Sequence, residues 1–327
     1  MELSERREFT DERIRDLQGE LQSTLKLIQR NACVYATGSF GRGEASRNSD
    51  LDLFIVSRGD DSANENSRFR RLDEICVKAD LVRAVSNLGI PEFDGDGKYL
   101  VRYSVSDLVG ILGQPEDDAK NTFTARLLLL LESRPLLGSD LYQDVINDVI
   151  AAYWDDYADH SEDFVPAFLA NDILRLWRTF CVNYEARTEK TPEPERIKRK
   201  VKNYTLKHSR MLTCFSALIY LLFVYQRERT VSVDAAKEMV SLTPLGRLEW
   251  LASESKQQDV QDNIEFLLRS YETFLHSKDD KRELLAVFSD PGRARSLMAE
   301  AQAFAEHIFK LIGIVGEGGR LHRLIVV

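Results

Sequence analysis

Two acids separated by a single residue, Asp50 and Asp52, stand in the run "NSDLDLFIV". On a strand, positions i and i+2 point to the same side, so the two carboxylates converge while Leu51, Leu53 and Ile55 face a core. Carboxylates that close repel, and one resists ionisation unless a cation lies between them. Hard oxygen donors at this density suit Mg2+ or Mn2+. Upstream, Gly38 and Ser39 follow the apolar run "CVYAT". Gly38 permits a tight turn, and Ser39 opens a short helix whose hydroxyl and first amides can hold an anion. A cation at the aspartates and an anion at the serine turn are together what a metal-bound nucleoside triphosphate requires. Arg42 either touches phosphate or pairs with Glu44 to brace the turn. The plainer reading is a solvated strand end beside an ordinary turn. The joint pattern of strand, Gly-Ser turn, helix, Arg-x-Glu and D-x-D favours the functional one.

The elements that must position these residues are legible by period. Glu2 to Gln29 has apolar residues at Ile14, Leu17, Leu21, Leu25 and Ile28, the spacing of an amphipathic helix. "ACVYATG" predicts a strand, "SFGRGEA" a short helix entered at Ser39, and "LDLFIVS" a second strand. A second amphipathic helix runs through "SRFRRLDEICVKADLVRAVSNLG" and stops at Gly89-Ile90-Pro91. A third strand is expected at roughly Tyr99 to Val105. After Gly113-Gln114-Pro115 strand signals fade, and "DDAKNTFTARLLLLLESRPLLG" and every later segment read as helix punctuated by Gly and Pro. The expected class is α+β. A small α/β module with a mixed sheet spans residues 1–114, and an all-α domain spanning 115–327 closes the nucleotide cleft. The C-terminal "EGGRLHRLIVV" reads equally as strand or tail.

The stretch "GSFGRGEASRNSDLDL" resembles the signature of the DNA polymerase β-type nucleotidyltransferases, Gly-Ser followed by an acidic strand. Within that superfamily it is most similar to the branch of the bifunctional uridylyltransferase of nitrogen regulation and related nucleotidyltransferase domains (DUF294-like). "ARLLLLLESRPLLGSD" looks like the helix that follows the catalytic module there. The resemblance implies that Gly38 and Ser39 hold the triphosphate and that Asp50 and Asp52 bind the metals. It further implies a third carboxylate on a later strand, as metal ligand or base. "KYLVRYSV" has no acid, so Asp96 or Asp94, or Glu92, just ahead of it, would supply that group or would be turn residues. Related enzymes grip the phosphates with a Lys and a Ser from a helix, and "KNYTLKHSR" is similar in kind. Lys207, Ser209 and Arg210 are its nucleotide-binding candidates, against a plain solvated basic face. Asn171, Arg175 and Arg178 form another polar face at i, i+4 and i+7.

The expected activity is transfer of a nucleoside monophosphate from an NTP, ATP or UTP, to an acceptor hydroxyl. The acceptor is open among a protein, a small molecule and RNA. A nucleotide sensor without turnover and an RNA-modifying or toxin-type transferase are the alternatives. The five histidines follow no His-Asp pattern, so the uridylyl-removing hydrolase domain is expected to be missing. The 327 residues carry 43% hydrophobic and 30% charged residues and a net charge of -9, which argues against a general DNA binder. The apolar run Met211 to Tyr225 is short for a bilayer and reads as a buried helix, so no membrane partner is expected. Cys33, Cys76, Cys181 and Cys214 form no C-x-x-C pair and read as buried thiols of a cytoplasmic protein.

Overall fold

The computed structural model describes residues 1–58, 69–93, 100–186 and 193–326. The chain divides into two compact units, Met1–Ala152 and Tyr153–Val327. The first therefore runs past the boundary expected at residue 114, because the chain returns there to add a strand to the sheet.

The order in the first unit is α1 (Leu3–Glu20), α2 (Gln22–Ile28), β1 (Ala32–Thr37), α3 (Gly38–Arg42), β2 (Asp52–Ser57), α4 (Arg71–Asn87) and β3 (Arg102–Ser104). There follow α5 (Val105–Gly110), α6 (Pro115–Ala119), α7 (Thr122–Glu132), β4 (Arg134–Leu137) and α8 (Ser139–Tyr153). The N-terminal helix expected as one piece is two, with the fully buried Leu21 at the corner. The four strands lie in the order β3-β2-β1-β4. β1 is antiparallel to both β2 and β4, and β2 is parallel to β3, so the sheet is mixed as expected.

β1 is the inner strand and all six of its residues are buried. Val34 and Ala36, with Leu53 and Ile55 of β2, face a core shared with Leu17, Ile28, Val77 and Leu81 of the flanking helices. The opposite face is aromatic. Tyr35 stacks on Phe54 at 5.4 Å, Phe54 meets Tyr103 at 5.9 Å, and Tyr142 meets Tyr35 at 6.0 Å. The Tyr35 hydroxyl donates to the carbonyl of Ala125 on α7 at 3.0 Å.

β4 corrects the expectation that "ESRPLLG" continues a helix. The leucine run ends the helix at Glu132, Ser133 is extended, and Arg134–Leu137 pairs with β1. The start of α7 is pinned by an ion pair with no solvent exposure between Arg126 and Asp117. Arg126 Nη1 lies 3.0 Å from Asp117 Oδ1 and donates to the Leu108 carbonyl, while the Thr122 hydroxyl donates to the same carboxylate oxygen at 2.7 Å.

The second unit, described by itself, contains α9 (Ala167–Ala186), α10 (Glu193–Thr205), a π-helical turn (Leu206–Arg210) and α11 (Met211–Glu228). α12 (Val233–Ser241), α13 (Pro244–Glu254), α14 (Gln258–Asp279), α15 (Lys281–Ser289), α16 (Pro291–Gly316) and α17 (Arg320–Val326) complete it. α11 is the core helix and packs against α9, α13 and α16. One continuous helical stretch, Glu195–Glu228, has the length and apolarity to cross a membrane, and 83% of its apolar window is buried, as in the interior helix of a folded domain. The C-terminal segment is helix α17. Two cysteines depart from the expectation of burial. Cys33 and Cys214 are buried, but Cys181 is half-buried, and Cys76 is exposed on the outer side of α4. Burial pushes the Cys33 thiol up to about 12.

Candidate functional site

Along residues 50–55 exposure alternates. Asp50 and Asp52 are exposed, whereas Leu51, Leu53 and Ile55 are buried. Asp52 opens β2 opposite Thr37, the last residue of β1. Asp52 opens the strand on the side that carries Phe54, Asp50 lies two residues ahead of it, and the buried residues that alternate with them anchor the segment in the core. The alternation of exposure runs through both aspartates, although the strand itself begins at Asp52.

Gly38 follows immediately in the left-handed region at φ 64°, where a side chain is strained. A Cβ on it would lie 2.6 Å from Asp52 Oδ2. The glycine therefore brings the turn against the carboxylate as no other residue could. Its amide is turned to α7. It donates to Glu132 Oε1 at 3.3 Å, so the turn is tied to the end of α7. Ser39 is half-exposed. The next glycine of the turn, Gly41, packs against the Glu132 carbonyl, which a Cβ would meet at 1.9 Å.

Arg42 adopts the bracing arrangement. Its side chain is 5% exposed, with Nε 2.6 Å from Glu44 Oε1 and Nη1 2.7 Å from Glu132 Oε2. Two carboxylates around one guanidinium are tolerable in the interior only because the charges and hydrogen bonds are shared. The chain then leaves Glu44 under control of α1. The amide of Ala45 donates to the Thr10 hydroxyl at 2.9 Å, and Arg6 donates to the Glu44 carbonyl at 3.4 Å. A tight Ser46–Ser49 turn, with the Ser46 amide on Ser49 Oγ at 2.9 Å, delivers Asp50. Glu132 and Thr10 are the residues missed by sequence reasoning, since nothing local to either marks a partner so distant.

Glu92 is exposed. Asp94 and Asp96 lie outside the described residues, and among the described residues no group of three or more His, Cys, Asp or Glu is arranged to hold a metal. The donor set that is described, two exposed hard-oxygen carboxylates on one side of a strand with a glycine cleared beside one of them, fits Mg2+ or Mn2+.

The remaining candidates belong to the second unit, on its π-helical turn. Lys207 and Arg210 are half-buried, and the Arg210 guanidinium lies 5.1 Å from the Phe180 ring centroid. Ser209 is buried, and its hydroxyl accepts from Tyr271 at 3.3 Å. His208, also buried, stacks on Phe274 at 4.4 Å.

Residues 14–92 match the family model of the nucleotidyltransferase domain. The chain carries a nucleotidyltransferase domain. The match takes in β1, the Gly38 turn, both aspartates and α4, but not Glu132 or the candidates of the second unit. The chain is also 30% identical over 141 residues to the bifunctional uridylyltransferase/uridylyl-removing enzyme of Psychrobacter cryohalolentis, an alignment that covers 43% of this chain and 13% of that enzyme. The chain thus spans only a small fraction of that relative's length. No solved structure matches significantly. The family match begins inside α1, so Arg6 and Thr10, which hold the loop before Asp50, lie just ahead of it.

Proposed function

We propose that this protein transfers a nucleoside monophosphate from ATP or UTP to an acceptor hydroxyl. The observation that carries the reading is the pair of exposed aspartates, Asp50 and Asp52, at the head of β2, with Gly38 packed against Asp52. The acceptor oxygen attacks the α-phosphorus, the bond from that phosphorus to the bridging oxygen of pyrophosphate breaks, and the hydroxyl proton leaves to a base. Asp50 and Asp52 would hold Mg2+ or Mn2+, which supplies Lewis-acid polarisation of the phosphate oxygens when bound. Ser39 offers its hydroxyl and amide to the phosphates. Lys207 and Arg210 are proposed as phosphate-binding residues, and Asp96 is proposed as the third carboxylate. Ser209, with its hydroxyl already accepting from Tyr271, contributes by holding that turn in the core. The acceptor is a protein side chain in the reading we favour, because the uridylyltransferase resemblance is to a regulatory enzyme. A small molecule or an RNA end is the alternative, and the setting is cytoplasmic.

The test is incubation with α-labelled ATP or UTP and Mn2+, with candidate protein, small-molecule and tRNA acceptors, beside an Asp50→Ala/Asp52→Ala variant. Pyrophosphate release and acceptor labelling by the parent, lost in the variant, are the expected result. Nucleotide binding without turnover in either metal would overturn the enzymatic reading.

A further inference from the structure

The second unit holds a cleft that the reaction above does not use. Helix α9 presents Asn171, Arg175 and Arg178 along one side, and α17 lays Leu324 and Ile325 beside them around a cavity of about 490 Å3. That volume lies in the range of small-molecule sites. The chain carries a net charge of -9, yet this lining contains two guanidiniums and no carboxylate. Asp172, next to Asn171 on α9, is 4% exposed and turned inward. It accepts from the Tyr153 hydroxyl at 2.6 Å and lies 3.6 Å from Arg175 Nη1. Asp172 therefore steadies Arg175 from behind. Arg178 is exposed and has no carboxylate within ion-pair distance among the described residues.

Like charges three positions apart on a helix side repel, and the repulsion becomes an attraction when an anion sits between them. Paired guanidinium forks match phosphate oxygens in geometry as well as charge. Leu324 and Ile325, which α17 contributes to the lining, are apolar and suit the flat body of a nucleobase. We propose that the α9–α17 cleft is a binding site for a phosphate ester of nucleotide size, with its phosphate on Arg175 and Arg178 and its base against α17. The inference stands on the second unit alone and is independent of the transfer reaction proposed above.

The test uses the full chain bearing Asp50→Ala/Asp52→Ala, in EDTA, so that the proposed triphosphate site is silent and failure of either proposal can be told from failure of the other. Calorimetric titration with AMP, UMP and orthophosphate is the measurement. Saturable binding of a nucleoside monophosphate is expected, weaker by at least about tenfold on adding Arg178→Gln, since a charge-assisted bond to phosphate is lost. Adding Ile325→Ser should weaken the monophosphate but leave orthophosphate as it was. Arg178 is exposed, so its variant is expected to keep the parent's melting temperature, and a circular-dichroism melt verifies that. Absence of saturable binding at millimolar ligand, or binding indifferent to Arg178→Gln, overturns the proposal. So does equal binding of orthophosphate and monophosphate that ignores Ile325→Ser.

Discussion

The carboxylate of Glu132 accepts the amide of Gly38 across 94 positions of sequence, at 3.3 Å, and its other oxygen holds Arg42. One buried side chain thereby fixes both ends of the short α3 turn. The prediction concerns what happens when its charge is removed. Glu132→Gln keeps the shape but removes the charge that faces Arg42 from α7, and breaking a buried pair costs about 3–5 kcal/mol. Urea unfolding of the variant should show a loss of that order. Glu132→Asp, which keeps the charge and shortens the reach, should recover part of it, and a loss in Glu132→Gln below about 1 kcal/mol would mean that the network is not the brace described here.

Gly38→Ala tests the approach of the turn to Asp52. Alanine in the left-handed region costs about 1–2 kcal/mol on backbone grounds alone. At Gly38 the new methyl would also press on Asp52 Oδ2. Gly89 provides the control, because its φ is 62° and a Cβ there would meet nothing within 4 Å. Both variants should lose stability in urea, Gly38→Ala at least as much as the control, while only Gly38→Ala should lower NTP turnover, by about tenfold or more for a misplacement near 1 Å. Equal turnover in the two variants would remove the special role assigned to that contact.

What the sequence disclosed and what it hid divide along physical lines. Asp50 and Asp52 were legible because a strand has an unambiguous period of two, and Leu51, Leu53 and Ile55 declared which side was the core. Gly38 was legible as a turn glycine, but not the use of its amide. That depends on Glu132, which a local pattern cannot link to it. β4 was hidden for a similar reason. Four residues after a leucine run carry helix-like apolarity, and only the unsatisfied edge of β1 makes them a strand. The tail "RLHRLIV" is rich in β-branched and aliphatic residues yet forms α17, since packing against α9 and α16 outweighs local propensity.

The Arg126–Asp117 pair yields a stability prediction away from the site. Both side chains have no solvent exposure. Arg126→Leu would leave the Asp117 carboxylate in the interior with the Thr122 hydroxyl as its described hydrogen-bond donor, a loss of about 3–5 kcal/mol. Replacing both residues with apolar ones of similar volume, Arg126→Met/Asp117→Leu, should restore much of that loss, because the cost lies in the stranded charge. The check is a double-mutant cycle by urea unfolding. A double variant as unstable as the sum of the singles would show that the pair's hydrogen bonds, and not the lone charge, carry the stability.

His208 supplies the pH dependence. It is 1% exposed, stacks between aromatic rings, and its Nδ1 lies 3.0 Å from the Tyr204 carbonyl. Burial holds its pKa down at about 4 against an ordinary 6.5, assisted by the charge of the adjacent Lys207. The folded state therefore keeps the ring neutral where the unfolded chain takes up a proton. The contribution is full above pH 6.5, falls as the pH drops from 6.5 towards 4, and is lost below that. A shift of this size corresponds to about 3 kcal/mol at its full extent. Carboxylates also titrate in this window, so the comparison must be with His208→Leu, which keeps an apolar side chain and removes the titrating group. The stability gap between parent and variant should narrow by about 2 kcal/mol between pH 7 and pH 5, read from urea midpoints at each pH. Parallel stability curves for the two proteins across that range would mean that His208 is protonated as readily in the folded unit as out of it.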